Sequence, residues 1–117
     1  MKSIEWVGSS KRDILGLPEA VRSEIGFSLF QVQNGIMPEQ AKPLKGFGGA
    51  SVQEIMADHK SDTYRAVYTV RFTAKIYILH VFQKKSKSGT STPKKDMDLI
   101  EKRLKQVVEM ESRRTQL

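Results

Sequence analysis

The chain has 117 residues, of which 38% are hydrophobic and none is cysteine. That is enough apolar material for one modest core, and it excludes disulfides, thiolate metal sites and cysteine nucleophiles. The net charge of +7 is concentrated: residues 84–95 hold five lysines and no acid, residues 1–83 ten Lys or Arg against eight Asp or Glu, and residues 96–117 five of each.

In chain order, "SIEWV" (3–7) reads as a short first strand. "SSKRDILGL" follows as a short helix ending near Gly16, with Ser9 and Ser10 offering N-cap oxygens. Pro18 suits the first turn of a second helix, where its missing N–H costs nothing. Val21, Ile25, Leu29 and Val32 form one apolar stripe along that helix, Gly26 weakens it, and Asn34-Gly35 ends it. Residues 37–51, with two prolines and three glycines, read as loop.

Three strands are expected next: "SVQEIMA" (51–57), then "TYRAVYTVRF" (63–72) after a turn at 58–62, then "KIYILHVFQ" (75–83). The last is nearly all apolar and so expected inside the sheet, and the short Thr73-Ala74 connection predicts an antiparallel hairpin. Ser88 to Thr92 is a connection. Thr92-Pro93 starts a final helix whose apolar face is Met97, Ile100, Leu104, Val107 and Val108, with a frayed tail over 112–117. The order β-α-α-β-β-β-α predicts a single α+β domain over 1–117, a mainly antiparallel sheet with its helices packed on one face.

Side chains alternate along a strand. Tyr64, Ala66, Tyr68, Val70 and Phe72 therefore make one face of the second strand of this trio, and Arg65, Val67, Thr69 and Arg71 the other. Arg65 and Arg71 read either as a solvated face with surface ion pairs or as paired guanidiniums suited to phosphate. In the third strand, alternation groups Ile76, Ile78, His80 and Phe82 against Tyr77, Leu79, Val81 and Gln83. His80, among apolar neighbours, reads as a packed histidine or as a catalytic one. Lys84 and Lys85 should point to opposite faces. If Lys85 shares a face with Arg65, the two form a positive cleft able to stabilise phosphate charge, with the RNA 2′-OH as nucleophile and no metal needed. The opposing reading of Lys84, Lys85 and Lys87 is a solvated loop.

His59 and His80 are far apart with no metal-ligand spacing, no P-loop is present, and the glycines of "GFGG" (46–49) lack the strand–helix context of a dinucleotide site. No cofactor and no metal are expected. No N-terminal apolar stretch has the length of a signal or membrane span, so a cytosolic protein without membrane contact is the expectation.

"KPLKGFG" (42–48), "YRAVYTV" (64–70), "LHVFQKKSKSGTSTPKK" (79–95) and a closing helix, in this order, resemble the RelE/ParE toxin superfamily, above all its HigB-like, phage-related branch. The resemblance implies a type II toxin, a ribosome-dependent mRNA endoribonuclease (mRNA interferase) that uses the RNA 2′-OH without metal. It also implies a cognate HigA-like helix-turn-helix antitoxin as partner. By position it assigns Arg65 to phosphate or transition-state binding, Lys84 and Lys85 to the basic pair ending the last strand, and Lys45 to the loop near the RNA groove. Arg71 and Lys87 join as RNA-binding candidates, Lys87 for ribosome docking, and His80 as a candidate acid or base. The sequence departs from RelE in carrying Glu54 and Met56 where RelE has lysines, and in having no tyrosine after Tyr77. The alternative is a non-enzymatic interaction protein, either a ParE-like topoisomerase poison or a degenerate toxin that only binds its antitoxin.

Overall fold

The computed structural model describes residues 1–84 and 92–115. Its elements are β1 (Ser3–Trp6), α1 (Ser10–Leu15), α2 (Glu19–Gln33), β2 (Ala41–Pro43), β3 (Val52–His59), β4 (Asp62–Thr69), β5 (Lys75–Lys84) and α3 (Lys94–Thr115). They build a five-stranded sheet of order β1-β5-β4-β3-β2. All neighbours are antiparallel except β1 and β5, which run parallel. The α+β class and the mainly antiparallel sheet agree with the sequence pattern.

Three details differ from expectation. Ala41–Pro43, inside the stretch read as loop, pairs with Gln53–Ile55 and adds an edge strand. β3 and β4 run on until only Lys60 and Ser61 turn the chain, both with positive φ (50° and 70°), as a tight two-residue hairpin demands. The helices also divide between both sheet faces. α1 and α2 cover Ile55, Ala66, Tyr68, Ile76 and Ile78, whereas α3 lays Ile100 and Val107 against Val52, Val67, Tyr77 and Leu79. The reason is in the strands: β4 and β5 carry apolar residues at successive positions, so both of their faces need cover.

The stripe Val21, Ile25, Leu29 and Val32 is the buried face of α2. Full burial of each such side chain stabilises by about 1.5–3 kcal/mol. α2 ends in a Schellman turn. Gly35 adopts φ 79°, its N–H reaches Val32 O, and the Ile36 N–H reaches Gln31 O. Ser9 stands at the N-cap of α1, but its hydroxyl makes no cap hydrogen bond. It donates instead to Asp13 Oδ2 at 2.8 Å, while Ser10 Oγ donates to Ile78 O and ties α1 to β5.

α3 is held at three levels. Near its start, His80 Nε2 and Asp96 Oδ1 are 2.8 Å apart. In its middle Arg103, buried against the sheet, donates to Leu79 O at 2.8 Å and to Ser9 Oγ at 3.0 Å. Burial pushes the Arg103 guanidinium below its ordinary pKa, and Asp13 opposes that shift. Toward the end, the Tyr77 hydroxyl donates to Glu111 Oε2. Of the tail 112–117 expected to fray, residues 112–115 are helical, with ion pairs Arg113–Glu109 and Arg114–Glu111, and 116 and 117 lie outside the described residues.

Gly8 belongs to the same lock. It has φ 55°, and a Cβ there would meet the Arg103 guanidinium at 2.8–2.9 Å. Arg103→Ala removes two charge-assisted bonds from a buried site and should cost about 2–4 kcal/mol in urea unfolding. Gly8→Ala should destabilise as well, through both the positive φ and the clash.

Burial, with the hydrogen bond and charge of Glu111 adding to it and Arg114 opposing, raises the Tyr77 phenol to about 12. A phenol that is harder to ionise folded than unfolded contributes stability present in full below pH 10, the unfolded value. That contribution is lost as pH rises from 10 toward 12. Stability should therefore fall over this window, and Tyr77→Phe should flatten the fall in denaturant midpoints measured against pH.

Candidate functional site

Register decides which side chains meet. Between Val67 and Tyr68 the β4–β5 pairing slips: Tyr68 pairs with Ile78 and Val67 with His80, leaving Leu79 as an extra residue in β5. Such a bulge resets the alternation beyond it. Val81 thereby joins Ile76 and Ile78 on the α2 side, and Phe82 joins Tyr77 and Leu79 on the α3 side. His80 joins them, since it meets Asp96 of α3. Regular alternation had grouped His80 and Phe82 with Ile76 and Ile78, and the extra residue overturns that grouping. By the same shift Lys84 falls on the Arg65 face. It pairs with Thr63 and lies diagonal to Arg65, which pairs with Phe82.

One row of side chains crosses the α3 side of the sheet as Lys42–Glu54–Val67–His80, and the next as Met56–Arg65–Phe82. Arg65 and Val67, grouped by alternation on the face opposite Tyr64 and Ala66, are 4% and 0% exposed because α3 and the loop after β2 cover them, so the solvated reading of Arg65 does not hold. Arg65 reaches diagonally to Glu54: Nη1 donates to both carboxylate oxygens at 2.9 Å. Lys42 Nζ lies 3.7 Å from the same carboxylate. Arg65 Nε is buried without a partner.

Above this cluster opens a cavity of about 280 Å³, walled by Pro43, Leu44 and Met97 and carrying Lys42, Lys45, Glu54 and Arg65. Thr92 closes one side. Lys45, in the loop after β2, lines the same cavity as Arg65. A Cβ on Gly46 (φ 101°) would come within 3.1 Å of Met97 Cε, so this glycine lets the loop lie against the start of α3.

The Lys84 ammonium is pushed below its ordinary pKa by desolvation first and by Arg65 next; Glu54 opposes and Lys42 adds to the fall. These four charges therefore act on one another. His80 sits one row along, with Nε2 committed to Asp96, Nδ1 buried without a partner, and its ring stacked on Phe82 at 4.5 Å.

Arg71 is not part of the cluster. It lies beyond the end of β4, exposed, with its guanidinium 6.0 Å from the Phe72 ring. Six residues of extended chain separate it from Arg65 by roughly 20 Å. Lys85 and Lys87 fall outside the described residues. Sequence reasoning missed Lys42, hidden in the presumed loop, and treated Glu54 only as a departure. The period-2 spacing of Glu54 and Met56 beside "YRAVY" was the available signal.

No curated protein sequence matches the chain. In structure it is similar to the Escherichia coli toxin RelE, in the free state of a double-arginine mutant. The TM-score is 0.60 at 15% identity, covering 91% of this chain and 97% of that one. A second similarity is to the Mycobacterium tuberculosis toxin–antitoxin complex RelBE2, with TM-score 0.49 and 19% identity over 68% of this chain and 94% of that one. The fold is RelE-like. Residues 12–105 match the phage-derived protein Gp49-like family (DUF891), and the chain belongs to that family.

Breaking a buried ion pair from one side leaves an uncompensated charge and costs about 3–5 kcal/mol. Arg65→Ala and Glu54→Ala should each lower unfolding free energy by that order. The double variant Glu54→Leu/Arg65→Met should recover most of the loss in the same denaturation assay.

Proposed function

We propose that the protein is the toxin of a type II toxin–antitoxin pair, of the HigB-like branch, and that it cleaves mRNA on the ribosome. The observation that carries this reading is the cleft that gathers Lys42, Lys45 and Arg65 around a single carboxylate on a RelE-like sheet. RNA supplies the nucleophile: the 2′-oxygen attacks the adjacent phosphorus, the bond to the 5′-oxygen breaks, and a proton leaves the first oxygen as one reaches the second. Negative charge develops on the phosphate oxygens, and fixed cations beside them stabilise it.

In this reading Lys45 and Lys42 hold the backbone, and Arg65, aimed by Glu54, faces the phosphate. Lys84, with its ammonium held below its ordinary pKa, is the group of the cluster that exchanges a proton in this reading. His80 supports the floor through Asp96 and is the remaining acid–base candidate. Lys85 and Lys87 add RNA or ribosome contacts, and Arg71 a peripheral one. The chain acts as one domain, in the cytosol, with a HigA-like helix-turn-helix antitoxin as partner and no metal in the reaction.

One observation favours the non-enzymatic alternative. Glu54 already occupies one nitrogen of the Arg65 guanidinium, as in a protein that keeps the fold and binds its antitoxin or a topoisomerase without cutting RNA.

Induced expression without antitoxin, followed by primer-extension mapping, separates the two. Growth arrest with ribosome-dependent breaks in transcripts supports cleavage. Intact messages with unimpaired growth count decisively against it, and DNA-damage signalling with intact messages indicates topoisomerase poisoning. Lys45→Ala and Lys84→Ala, at positions not buried, should lower cleavage about 10²-fold without a matching loss of stability. They are cleaner probes than Arg65→Ala, whose folding penalty confounds the result.

A further inference from the structure

α2 carries an outward face that none of the described residues covers. Phe27 and Phe30 point away from its buried stripe, and with Leu15, Ile36 and Met37 they are each more than half exposed. At side-chain areas of 150–250 Å² these five leave roughly 500 Å² of apolar surface in the open. Summed along α2 and its two flanks, that is most of the roughly 800 Å² per partner that a stable interface needs.

Gly26 is the second, independent observation. Mid-helix glycine is unfavourable against alanine, and a close neighbour usually explains one. Here a Cβ would meet nothing within 4 Å, and the φ is not one that asks for glycine. Gly26 instead lines an apolar groove of about 470 Å³ between α2 and the edge strand β1, with Ile4, Trp6, Leu15 and Ser23 along it. Its missing side chain leaves room for a backbone or ring approaching from outside.

We infer that α2 is a homodimer interface, in which α2 of a second copy crosses antiparallel over Gly26. Knob and notch lie on the same helix, three to four residues apart, which is what a twofold axis requires. A crossing centred between Gly26 and Phe27 sets Phe30 of each copy over Ser23 of the other and Phe27 beside the other's Gly26. Glu19 and Arg22, of opposite charge, also line this groove, whereas the basic cleft lies on the α3 side of the sheet. The dimer therefore leaves both clefts open and facing apart. This inference does not depend on the toxin reading and is measured without RNA.

The test is sedimentation equilibrium of the full chain, made by cell-free synthesis if expression arrests growth. The wild type should form a reversible dimer at concentrations up to about 100 μM. Phe30→Asp, at an exposed position, and Gly26→Leu, which adds a side chain into open space, should each raise the dissociation constant at least about tenfold. Both should keep the wild-type circular dichroism spectrum. Met110→Asp, exposed on α3, should leave the constant unchanged. A wild type that stays monomeric over this range overturns the inference, including the case in which only an antitoxin covers α2. A dimer indifferent to both α2 substitutions overturns it too.

Discussion

The extra residue in β5 opposite Val67 and Tyr68 is the constraint on which the arrangement of the site depends. Before it, Tyr77 faces α3 and Ile78 faces α2. After it the alternation is inverted, so His80 meets the first turn of α3, Phe82 pairs with Arg65, and Lys84 ends the strand on the cleft side. Without the bulge, His80 and Phe82 would turn into the α1–α2 core and a different lysine would stand beside Arg65. A β-bulge costs one ladder position and gains a re-aimed row of side chains. Here the re-aimed row includes both the anchor of α3 and a cation of the cleft.

Glu54 explains how a guanidinium can be this deeply covered. An unpaired charge is too costly to bury, and two charges with good geometry offset much of the penalty without making the pair a net source of stability. The pair is better understood as a direction-setter. Glu54 holds Arg65 toward the cavity and keeps Lys42 within 3.7 Å. Of the four coupled charges, Lys42, Arg65 and Lys84 are positive and Glu54 negative. The cleft thus stays attractive to an anion while its cations repel one another less than they would alone. Desolvation first, and the remaining repulsion from Arg65 and Lys42 after it, depress the Lys84 ammonium.

Most of the elements were legible because periodicity reports burial directly. The stripe of α2, the face of α3 and the β4–β5 hairpin all followed from spacing. The bulge was not legible: Leu79-His80-Val81 carries no glycine or proline, and its register is set by what β4 and α3 pack against it. Arg103 was missed for a related reason. On the wheel of α3 it reads as polar surface, and only the neighbouring Gly8, with no Cβ in the way, admits its head to Leu79 O and Ser9. Among site residues, strand alternation put Arg65 and Arg71 on one face but could not say that α3 covers the first and not the second. Glu54 carried its information in the pairing with Lys42 and Val67 across three strands, which a linear reading does not contain.

The division of the helices between the two sheet faces has a consequence for where charge can act. α1 and α2 bury a mainly apolar face, with Tyr64, Tyr68 and the buried Gln53 in it, and α2 presents the exposed Phe27 and Phe30 outward. The α3 face is where the described residues place their buried acidic and basic side chains, Glu54, Arg65, His80 and Arg103. At the Lys42–Arg65 end, Met97 of α3 and the loop after β2 wall the cavity over that face. Lys84 and Thr92, the described residues on either side of 85–91, both stand at this end, one coupled to Arg65 and Glu54, the other lining the cavity. The charge shown to act on Arg65 from the end of β5 is therefore that of Lys84.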